Sequence, residues 1–146
     1  MDKKRLVSFL GLILCLLGAG SYWYFAEFRT KYKPLESASG MTQDGFEFFS
    51  TIYLYPDGVK VFKTMELRVQ PEIAQQEMRR RILNASRIIE RTPYLAPNGT
   101  KAGERVVLVL EKEHWAAVIW TEGPRLHSIE SQSLSRALLF EKTVSK

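Results

Sequence analysis

The chain has 146 residues, 25% of them charged, with a net charge of +5 and a single cysteine. One cysteine excludes an intrachain disulfide, so any folded part must be held by its core alone. Removing Asp2, Lys3, Lys4 and Arg5 leaves 18 basic against 15 acidic side chains, a net of +3, too small for a nucleic-acid binder.

Residues 1–5 form a short basic tail. Leu6–Ala26 follows, 21 residues without a formal charge. About 20 apolar residues in a helix cross the hydrocarbon core of a bilayer. The segment is therefore expected to be a transmembrane signal-anchor, with the bilayer as its partner. Tyr22, Trp23, Tyr24 and Phe25 would then sit at the far interface, where aromatic rings are enriched. The alternative is a signal peptide cleaved near Gly20, which would leave these four rings at the start of a secreted chain. Cys15 follows Leu14 where a lipoprotein needs a small residue, so it reads as an apolar side chain facing lipid. Three basic residues flank the span on each side: Lys3, Lys4 and Arg5 before it, Arg29, Lys31 and Lys33 after it. The first three abut the apolar run directly. That favours a cytoplasmic N-terminus and an extracytoplasmic domain, in a bacterial envelope. The reverse orientation would hold the domain at the inner face.

Residues 27–45 are polar, contain Pro34 and two glycines, and read as a linker. The single domain is expected over 46–146. Phe46–Tyr55 and Val59–Val69 read as two strands around the turn Pro56-Asp57-Gly58. In the second strand, Val59, Val61, Met65, Leu67 and Val69 are assigned to the buried face. Lys60, Glu66 and Arg68 are assigned to the wet one. A helix is predicted over 71–91, opened by Pro71 and closed before Pro93, with the stripe Ala74, Met78, Ile82, Ala85 and Ile89. Residues 93–103 read as a loop. Val106–Leu110, Trp115–Thr121 and Arg125–Ile129 read as three strands. A last helix is expected over 131–142, capped by Ser131. The order β-β-α-β-β-β-α predicts an α+β domain, a mostly antiparallel sheet with two helices packed on one face.

The sequence offers few groups for chemistry. His114, His127, Glu111 and Glu122 are the candidate catalytic residues of a small enzyme or ligand-binding cleft. Glu111, Glu113 and His114 do not amount to a zinc site, which needs three or four converging ligands. No phosphate-binding loop, dinucleotide fingerprint or nucleophile elbow occurs, and no cofactor is expected. Arg79, Arg80 and Arg81 are consecutive on the predicted helix and cannot all face one partner. With Arg87 and Arg91 they offer a weak attraction to anionic headgroups. Trp115, Trp120 and Tyr94 are candidate contacts for a ligand or partner, the two tryptophans on opposite sides of their strand. Without a catalytic constellation, the sequence favours a membrane-tethered binding or envelope-assembly accessory over an enzyme, with another envelope protein as partner.

Overall fold

The computed structural model describes residues 31–110 and 114–144. Leu6–Ala26 and Glu111 lie outside them. No helix among the described residues is long and apolar enough to cross a membrane.

Seven strands form one antiparallel sheet: β1 (Lys33–Met41), β2 (Glu47–Leu54), β3 (Lys60–Leu67), β4 (Ala85–Leu95), β5 (Lys101–Leu110), β6 (Ala116–Glu122) and β7 (Arg125–Ser131). Helix α1 (Pro71–Leu83) follows β3, and α2 (Leu134–Val144) follows β7. The spatial order is β1-β2-β3-β7-β6-β5-β4. Two meanders, β1–β3 and β4–β7, thus meet where β3 pairs with β7 in the middle of the sheet.

Three elements differ from the sequence-based expectation. The stretch assigned to a linker contains β1, which pairs with β2 from Lys33 to Met41. The predicted helix 71–91 stops at Leu83, and the chain turns at Asn84 into β4. Strand β5 is apolar and buried at Val106, Val107 and Leu108 and needs a partner on its outer side. The β-branched residues Ile88, Ile89 and Thr92 suit that role. The helical stripe ran on through Ala85 only because Ala85, at the start of β4, packs against the same apolar cluster as Met78. Pro93 is tolerated because β4 is an edge strand, whose outward side donates to nothing. The loop expected at 93–103 shrinks to a tight turn in which the Ala96 N–H donates to the Thr100 carbonyl at 2.9 Å.

The helices lie on opposite faces of the sheet, not on one. Residues alternate between faces along a strand, and the two core clusters follow that alternation. Val107, Val118, Trp120 and Ile129 pack with Ala137 and Phe140 of α2. Val106, Leu108, Ala117, Ile119 and Leu126 pack with Ala74 and Met78 of α1. Tyr32, Tyr53 and Phe140 stack around the first face, with Tyr53 and Phe140 ring centroids 4.6 Å apart. Ser133 caps α2, accepting the Arg136 N–H at 3.4 Å. Ser131, the expected cap, instead donates to the Lys60 carbonyl at 2.8 Å.

Along β3, Val61 is buried and Lys60 exposed as expected, but from Glu66 onward the pattern is inverted. Glu66 and Arg68 are each only 7% exposed, whereas Val69 is 75% exposed. Arg68 and Arg81 both bond the Glu66 carboxylate, and Arg68 lies over the Phe46 ring at 4.3 Å. The long side chains of α1 cover this end of the sheet, so the polar alternation points inward. Glu77 joins the network, accepting from Arg81 Nε at 3.0 Å and Arg80 Nε at 2.7 Å.

Two outcomes follow. Phe140→Ala removes a fully buried ring and should cost about 3–5 kcal/mol of unfolding free energy in a denaturant titration of the full chain. Burial alone would raise the Glu77 pKa, but hydrogen bonds from Arg80 and Arg81 hold it down, from 4.5 to about 2. The carboxylate therefore stabilises the fold fully above pH 4.5, and that contribution is lost as pH falls towards about 2. Stability measured across that window should fall less steeply in Glu77→Gln.

Candidate functional site

The structure gathers four of the residues singled out in the sequence. On the face that carries α2, the His127 imidazole stacks on the Trp120 indole at 4.8 Å and 5°. Tyr94 stacks on the other side of Trp120 at 6.0 Å. Glu122 Oε2 lies 3.5 Å from His127 Nε2. That separation is at the outer limit of a hydrogen bond, and Nε2 is buried with none.

Sheet register extends the cluster. Trp120 pairs with His127, His127 with Met65, and Met65 with Phe49. One row thus crosses four neighbouring strands on a single face. The adjacent row on that face carries Met41, Glu47, Leu67 and Arg125. Phe49 is 49% exposed, Met41 61% and Leu67 38%. The result is an apolar shelf beside α2, grading from a buried indole at the centre of the sheet to exposed side chains near edge β1. Phe49, Met65 and Met41 are not legible from the sequence as site residues. Met41 lay in the supposed linker, and the meaning of the other two depends on the β3–β7 pairing.

The remaining candidates are elsewhere. His114 is exposed, with a positive φ of 53°, in the β5–β6 connection. Ala116 and Trp120 are about 13 Å apart at ~3.3 Å per residue, and His114 lies two residues beyond Ala116. The two imidazoles therefore stand at opposite ends of β6, too far apart to share one proton-transfer centre. Trp115 faces the α1 side, its ring 5.0 Å from that of Phe62. Five positions separate it from Trp120, so the two tryptophans occupy opposite faces. No group of three or more His, Cys, Asp or Glu side chains among the described residues could hold a metal ion.

A second feature lies on the α1 face. A cleft of about 440 Å³ opens between α1 and the β4–β5 hairpin. Arg79 and Met78 line it from α1, Pro93 from β4, Lys101 and Gly103 from β5, and Thr121 from β6. Arg91 also lines it, paired with Glu104. Gly103 is required by close approach: a Cβ there would lie 2.0 Å from the Thr121 carbonyl oxygen. The three consecutive arginines diverge as helical geometry demands. Arg79 enters the cleft, Arg80 bonds Glu77, and Arg81 bridges Glu77 and Glu66.

Burial lowers the His127 pKa below its ordinary 6.5, outweighing the opposing charge of Glu122. The imidazole is therefore held neutral in the fold. Its contribution to stability is complete above pH 6.5 and declines as acidification protonates the unfolded chain first. In His127→Phe, which keeps an aromatic ring on Trp120, the loss of stability on acidifying below pH 6.5 should shrink in thermal melts.

Comparison with protein-family models, with curated proteins and with solved structures finds no match to this chain.

Proposed function

We propose that the chain is a single-pass, membrane-tethered domain held outside the cytoplasm, where it binds another protein of the envelope. The observation that carries this reading is the exposed shelf of Met41, Phe49 and Leu67 on three adjacent strands. Large exposed apolar side chains gathered on one face, here with the charges of Glu47 and Arg125 among them, mark interaction sites. The shelf borders β1, an edge strand exposed along all nine of its residues. An edge strand presents unpaired N–H and C=O groups that accept a further strand. Pro34 and the irregularity at residues 34–36 blunt only its first turn of pairing. Ser37 to Met41 carries neither proline nor charge. A partner segment laid along β1 would gain backbone hydrogen bonds, and its side chains would reach Phe49. The tether is supplied by Leu6–Ala26, and the N-terminal basic cluster supports the outward orientation.

Photo-crosslinking in intact cells tests the partner. A crosslinker at Phe49 or Ser39 should capture a discrete envelope protein. Phe49→Asp, introduced with the crosslinker at Ser39, should reduce that capture at least tenfold. Equal capture from Arg87 on the opposite edge, or none from either β1-side position, would sink the reading. Protease treatment of spheroplasts should remove the domain, and N-terminal sequencing should begin at Met1 or Asp2. Protection from protease would put the domain inside. A mature start near Ser21 would make the protein secreted.

A further inference from the structure

We propose that the cleft between α1 and the β4–β5 hairpin binds the phosphate group of a small phosphomonoester. Its volume of about 440 Å³ lies in the range of ~300–1,000 Å³ typical of small-molecule sites. Its charge is unbalanced in one direction. Arg91 and Glu104 neutralise each other, while Arg79 and Lys101 are exposed and make no ion pair among the described residues. Two cations on opposing walls, one from α1 and one from β5, therefore converge on a single space with no counter-charge of their own. A guanidinium presents a planar fork of donors to phosphate oxygens, and an ammonium acts beside it as a point charge. Thr121 adds a hydroxyl. Its Oγ1 accepts the Glu104 N–H at 3.3 Å, which leaves the hydroxyl hydrogen to donate. Met78 and Pro93 supply apolar wall for the organic part of a ligand. The cleft is on the opposite face from the Phe49 shelf, so this site stands or falls independently of the partner surface.

The shared chemistry, a phosphomonoester, could reach the cleft free in solution or as a lipid headgroup. The full chain in a maltoside detergent is titrated with glycerol 3-phosphate and followed by amide NMR. In a second arm it is titrated with nanodiscs containing phosphatidic acid, against nanodiscs of phosphatidylcholine alone. The expected result is saturable movement of the Gly103 and Thr121 amides in at least one arm. It should weaken tenfold or more in the double variant Arg79→Ala/Lys101→Ala, and remain unchanged in Arg87→Ala. Movement with glycerol 3-phosphate identifies a soluble ester, and movement only with phosphatidic acid identifies a headgroup. Because Arg79 and Lys101 are exposed, the double variant should fold, which its unliganded spectrum checks. No saturable shift in either arm would overturn the proposal. So would shifts that survive the double variant, or that Arg87→Ala abolishes equally.

Discussion

Burial of the β5–β6–β7 centre on both faces is the constraint from which the rest of the domain follows. Six of the seven residues of β6 are buried, with no alternation. A strand of that kind cannot leave either face to water, and a single layer of helix cannot satisfy it. The chain therefore places α1 over one face and α2 over the other, each with a short apolar contact: Ala74 and Met78 on one side, Ala137 and Phe140 on the other. Antiparallel sheets commonly bury only one face. This one is double-sided at its centre and thins towards both edges. The shelf and the cleft both lie where helix cover runs out.

The two faces differ in how they close. Over α2 the packing is aromatic, with Tyr32 against Tyr53, Tyr55 and Phe140, and Tyr53 against Phe140. Under α1, the end near β3 is closed by Glu66, Arg68, Glu77 and Arg81. Removing one partner of such a buried set leaves an uncompensated charge. Polar residues thus do at that end what apolar ones do elsewhere, and the hydrophobic alternation holds at Lys60 and Val61 but misreports which side is inside from Glu66 to Val69.

Much of this was legible from sequence because it is local. The Pro56-Asp57-Gly58 turn forms as its residues require: Gly58 has a φ of 83°, and its N–H donates to the Tyr55 carbonyl at 3.0 Å. The apolar runs of β5 and β6 and the helical start at Pro71 were equally plain. What failed was non-local. Nothing within Lys33–Met41 announces a strand, because its register is set by β2 alone and its side chains stay wet. The end of α1 was missed because Ala85 and Ile89 fit a helical period, while the demand that makes them a strand comes from β5. Of the site, Trp120, His127, Tyr94 and Glu122 were visible as residue types, but their assembly needed the register between β6 and β7. The cleft was hidden for the same reason, since Arg79 and Lys101 meet only after the chain has crossed the sheet.

The central pairing of β3 with β7 has a consequence for how the chain is made. β7 is the last strand synthesised, yet it fills the middle of the sheet. Until residues 125–131 appear, the first meander has no partner along β3 and the second lacks its inner strand. Arg136 of α2 then returns to Asp57, 79 positions earlier. Stable structure of this kind cannot accumulate piecemeal from the N-terminus, because its decisive contacts are distant in sequence. The two meanders can close on each other only once residues 125–131 are in place between them.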